Sequence, residues 1–222
     1  MLLPALAKAK SKAIQIKCTN NMRQLGIAMR MYADDNKDTF PDCTGAVWPW
    51  DLPARAANAF VQNGGTRNVL YCPGFGKQND NELWSFSTGE NGELAKDNAS
   101  GYRVIGYAVA FKGAGRIKLT NITESFNPAP WKMANGELIN PGPSERISVA
   151  DAILSDTANE TDRSKNKYKG IRGGWSKPHD SPHLTGLIPQ VGNALFLDGH
   201  ASLQKFQKMK IRTDGSAPSF WW

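Results

Sequence analysis

Cysteine and histidine are scarce here, three of each in 222 residues. Cys18, Cys43 and Cys72 show no C-x-x-C spacing, which argues against a zinc site built of thiolates. No run of about 18 apolar residues occurs, so no transmembrane span is predicted, and Met1 to Ala7 is too short for a signal-peptide core. Also absent are G-x-S-x-G, a Walker-type loop and H-E-x-x-H. Cys72 has no identifiable base in its vicinity, so no catalytic residue is assigned and the chain reads as non-enzymatic.

Acidic residues are missing from the first 33 positions, and between Pro4 and Asp35 there is no further proline and a single glycine, Gly26. Nothing there strongly breaks a helix. Ile14, Cys18, Met22, Leu25, Met29 and Tyr32 recur at steps of four and three and share one helical face. A helix of this length runs roughly 50 Å, well beyond the radius of a domain this size. The reading is therefore a helix over 1–36, with 1–12 projecting and 13–36 docked on a globular head formed by 37–222. Leu3 and Leu6 open the projecting part, and Lys8, Lys10, Lys12 and Lys17 make it cationic.

The net charge of +7 and pI near 9.3 suit an acidic partner such as DNA or anionic lipid, with Arg23 and Arg30 extending the lysine set. Asp34, Asp35 and Asp38 crowd the helix end, where the dipole disfavours them, and predict its stop by about Asp34. Asp34, Asn36 and Asp38 imitate the start of a calcium loop, but Thr39 replaces the turn glycine and no glutamate stands at the twelfth position. A solvated turn is the simpler reading.

Beyond the helix, Asp51 is read as the N-cap of a short alanine-rich helix, and Asn68 to Pro73 as a brief strand. Strands are expected over 102–109, 117–120 and 147–154, with long loops between them. Asp198-Gly199 between alternating runs predicts a closing hairpin over 192–206 with a two-residue turn. The class is α+β, a long helix on a small antiparallel sheet. Cys43 and Cys72, each in a loop near a proline, are the first candidates for a disulfide, with a Cys18 to Cys72 bridge as the alternative.

LLPALAKAK, then CTNNMRQLGIAMRMYADDNKDTFP, resembles the segment just after the membrane-spanning part of prepilin-like proteins, the type IV pilin and type II secretion pseudopilin class. The Cys72-Pro73 ending and the hairpin with Asp198-Gly199 are similar to a bacterial pseudopilin-like group that closes on a histidine, a spacer and Asp-Gly. The spacer after His183 is longer than that group's usual one, so His179 and His183 both remain candidates for its histidine. The resemblance implies a pilin-like fold and a structural subunit of a pilus-like or pseudopilus-like filament, with other pilin-like subunits as partners. It also implies an extracytoplasmic location, with anchoring in the inner membrane before assembly through a basic leader, a glycine and an apolar run ahead of Met1.

Two other features carry candidate sites. His179, His183, Asp198 and His200 could supply metal ligands, although Pro178 and Pro182 argue against the helix that would align the first pair. Apart from these weak candidates and the calcium-like turn, no cofactor is expected. Trp48, Trp50, Trp84, Trp131, Trp175, Trp221 and Trp222 fall mostly in expected loops or at the chain end. Their rings either pack loops onto the body or grip sugars, which makes a secreted polysaccharide-binding module the alternative function.

Overall fold

The computed structural model describes residues 2–64, 66–75, 78–86, 101–173 and 177–222. It has a mixed α+β architecture. Helix α1 spans Leu2–Asp35, and its residues from Ala5 to Ala13 are all exposed. Burial begins at Ile14, which is half-covered, and continues through Cys18, Met22, Leu25, Ala28, Met29 and Ala33. Each large apolar side chain so enclosed contributes about 1.5–3 kcal/mol of transfer free energy. Tyr32 is half-buried and meets Phe60 edge-on, with ring centroids 5.5 Å apart. Leu6 remains 68% exposed, and the side chain of Leu3 lies outside the described residues.

The docked face of α1 rests on a four-stranded antiparallel sheet and on a second helix, α2 (Ala54–Gly64). A short ribbon, β1 (Asp51–Pro53) with β2 (Tyr102–Val104), flanks α2. The main sheet comprises β3 (Tyr107–Val109), β4 (Ile147–Asp151), β6 (Val191–Phe196) and β7 (Ala201–Lys205), in the order β7-β6-β4-β3. Between β4 and β6 in the chain comes β5 (Ile153–Ser155), which pairs with the terminal strand β8 (Ser219–Trp221). That pairing fixes the chain end, and Trp221 Nε1 donates to Ser155 Oγ at 2.7 Å.

Several local expectations need correction. Asp51 does not cap α2: it lies in β1, and its carboxylate accepts from the amides of Val47 and Trp48 at 2.9 and 2.8 Å. Arg67–Leu70 is a 3-10 turn rather than part of a strand, because the following backbone must pass against Gly106. A Cβ on Gly106 would fall 2.8 Å from Tyr71 Cα, so only glycine permits that approach. The expected long strands break in two at Ile105-Gly106 and at Ala152, and Ile117 makes only an isolated bridge to Thr213.

The closing hairpin forms with a three-residue loop, Leu197-Asp198-Gly199, instead of two. Gly199 N donates to Phe196 O at 3.0 Å, and Gly199 takes φ +89°. A type I turn completed by a left-handed glycine explains the extra residue.

The tryptophans are mainly packing residues. Trp50, Trp84, Trp221 and Trp222 are buried, Trp48 and Trp131 are half-buried, and Trp175 lies outside the described residues. Among the described residues no helix is long and apolar enough to cross a membrane.

Candidate functional site: a buried cluster under the helix

Cys18, Cys72, Asp151 and His183 bring one ligating atom each to within 4.8 Å of one another. They come from four distant stretches of chain: α1, the segment after the 3-10 turn, the end of β4, and the loop leading to the Leu184–Thr185 strand. Docking of α1 on the sheet places Cys18, and the Gly106 approach places Cys72. The thiol of Cys18 donates to Asp151 Oδ1 at 3.0 Å. His183 Nε2 lies 3.1 Å from Asp151 Oδ2 and 3.3 Å from Cys72 Sγ.

Further donors converge on the same atoms. Asn193 gives both its backbone N–H, at 2.7 Å, and its side-chain amide, at 2.9 Å, to Asp151 Oδ2. Thr19 Oγ1, 2.6 Å from Asn193 Oδ1, fixes that amide's orientation. Gly74 N–H points at Cys72 Sγ from 3.4 Å, and the hydroxyl of Tyr107 is 3.8 Å from Cys18 Sγ.

The electrostatics follow from enclosure and pairing. Burial pulls the Asp151 carboxyl upward, but hydrogen bonds and charge from His183, with the Cys18 thiol and Asn193 N–H, outweigh it and hold the group below the usual carboxylate range. Burial alone would keep His183 neutral, yet its bonds to Asp151 and Cys18 raise it to about 10. At neutral pH the pair is imidazolium and carboxylate. Burial drives the Cys18 thiol well above its ordinary value, and the neighbouring Cys72 and Asp151 add to the shift. Cys72 is pushed up to about 11, again mainly by burial. Neither thiol is activated as a nucleophile, and neither is open to solvent.

Of the histidines and acids singled out as metal candidates, only His183 belongs to this cluster. His179 is buried elsewhere, with Nδ1 2.5 Å from Gln78 Nε2 and its ring against Trp50. His200 and Asp198 pair with each other at 2.6 Å on the exposed hairpin turn. Asp34 pairs with Arg30 at 3.1 Å, Asn36 caps α1 by donating to Tyr32 O at 2.7 Å, and Asp38 adopts φ 58°. These last three form no ligand cluster.

The proposed Cys43–Cys72 disulfide is also corrected. All three cysteines are free, Cys43 packs by Pro41 O, and Cys72 faces Cys18 and His183 instead. The sequence offers Cys18 with Cys72 as the alternative pair, and the structure brings the two together as free thiols, but Asp151 was missed as their partner because 133 positions separate it from Cys18. One signal was present: Asp151 is the only acid in the otherwise apolar run Val149–Leu154, and a buried carboxylate requires partners.

No protein-family model, no curated protein and no solved structure matches this chain.

Proposed function

We propose that the chain is a non-enzymatic structural subunit of an extracytoplasmic filament, pilin-like in fold and of the pilus or type II secretion pseudopilus kind. What carries this reading is the division of α1 into a docked half and an exposed half. A stretch of helix exposed from Ala5 to Ala13 gives up little stability of its own by serving a neighbour. Its exposure supports a role in contact with other copies.

A second property of α1 supports the same reading. Opposite the docked stripe, Ile16 is 63% exposed, Ile27 62% and Met31 44%. At 100° per residue these three fall within roughly 60° of arc and form an apolar line facing outward. Helix packing in a filament core would cover that line together with Leu6. The resemblance of the N-terminal segment to prepilin-like proteins supports the class of assembly, and other pilin-like subunits are its implied partners.

The test is recovery of the protein from the surface of the cell that makes it, in sheared fibres that sediment and contain many copies. An Ile16→Glu, Ile27→Glu variant keeps its fold, since both positions are exposed, but drops out of the fibres. Recovery of the unaltered protein only as a monomer contradicts the proposal. The burial of Trp50, Trp84, Trp221 and Trp222 favours this reading over polysaccharide binding, for which the half-buried Trp48 and Trp131 are the described rings that retain exposed surface.

A further inference from the structure

We propose that Cys18, Cys72, Asp151 and His183 bind one thiophilic divalent metal ion, Zn2+ by the chemistry of the donor set, and that the ion staples α1 to the sheet. Two sulfurs, an imidazole and a carboxylate suit zinc, and hard cations such as Ca2+ favour all-oxygen shells. Tetrahedral Zn2+, about 2.3 Å from sulfur and about 2.0 Å from nitrogen or oxygen, sets its ligand atoms roughly 3.3–3.8 Å apart. Cys18 Sγ lies 3.0 Å from Asp151 Oδ1, and His183 Nε2 lies 3.1 Å from Asp151 Oδ2 and 3.3 Å from Cys72 Sγ, a little inside those edges. All four ligand atoms fall within 4.8 Å of one another, so small side-chain rotations suffice to surround one ion.

Features outside the four ligands favour the same assignment. Metal-bound carboxylates and thiolates are typically held by hydrogen-bond donors, and here Asn193 serves Asp151 twice while Gly74 N–H serves Cys72. His183 sits at φ 56°, a left-handed conformation that a non-glycine residue adopts only at a cost. That backbone brings the imidazole into the cluster. A disulfide between Cys18 and Cys72 would account for the two sulfurs alone. It would leave unexplained why a carboxylate and an imidazole were enclosed with them.

Binding replaces the thiol protons of Cys18 and Cys72 and the Nε2 proton of His183 with the metal, so loading releases these protons to solvent and weakens in acid. The ion joins α1 to three other segments. Its effect is therefore on stability and on how firmly the helix is held, a role independent of any filament.

The test is titration of the reduced, chelator-treated chain with Co2+, a spectroscopic stand-in for Zn2+. The expected result is one ion per chain, with the thiolate-to-cobalt charge-transfer band and intense visible bands of a tetrahedral site, both bleached by one equivalent of Zn2+. Cys72→Ser and His183→Gln each weaken binding by about tenfold or more, since even an outer-shell partner is worth that much. Cys43→Ser, buried away from the cluster, leaves the spectrum unchanged. No tetrahedral thiolate spectrum from the unaltered chain overturns the proposal without reference to any variant. So does alkylation of protein taken directly from the cell, if it finds Cys18 and Cys72 joined as a disulfide.

Discussion

His183 and Asp151 form an ion pair at 3.1 Å with side chains only 2% and 1% exposed. Breaking one side of such a pair leaves the other charge enclosed without its counter-ion. His183→Gln, measured without metal, is expected to cost about 3–5 kcal/mol in urea unfolding. A midpoint unchanged from the parent protein would mean that the pair does not hold the fold together.

The buried and exposed faces of α1 give a paired prediction. Met22→Ala empties a fully enclosed position and is expected to cost about 2–5 kcal/mol, whereas Ile16→Ala stays within about 0.5 kcal/mol of the parent. Equal costs would show that the docked stripe is misplaced.

Gly106→Ala drives a methyl group into the backbone at Tyr71 and Cys72. Overpacking of this kind costs about 1–3 kcal/mol, and each kcal/mol lowers Tm by about 2–4 °C in a chain of this size. Thermal unfolding of the variant at the parent Tm would contradict the close approach.

His179 predicts a pH effect. Burial lowers it to about 4, against the pull of Asp180 and Asp80, so below its ordinary value of 6.5 the unfolded chain takes up a proton that the folded chain resists. Its contribution to stability falls as pH drops from 6.5 towards 4, by about 3 kcal/mol in full. Asp51, raised to about 7 by burial, has the opposite slope over much of this range. The readout is therefore the stability of the parent relative to His179→Gln, which should shift against the parent by up to about 3 kcal/mol as pH falls through that window. A pH-independent difference would show that His179 protonates freely in the folded state.

The helix and hairpin were legible because both are local: the stripe from Ile14 to Tyr32 repeats at helical spacing, and Asp198-Gly199 marks its own turn. What escaped the sequence depended on distant contacts. The strand expected at Asn68 to Pro73 gave way to a 3-10 turn because tertiary fit at Gly106 overrode local β preference. The cluster under α1 escaped for the same reason. Its four residues have no motif spacing, and Cys18 looks like an ordinary apolar position until the helix lands on the sheet. Ligand spacing in sequence is informative only where one loop supplies two ligands, and here every ligand comes from a different element.

The most direct measurement is cross-linking through the exposed half of α1 in the cell that makes the protein. The native thiols are all buried, so a cysteine placed at the exposed Ala9 is the accessible one for a bis-maleimide. A subunit whose helix meets its neighbours gives a ladder of multimers from Ala9→Cys. Complete labelling of Ala9→Cys with monomers as the sole product would contradict assembly through this helix.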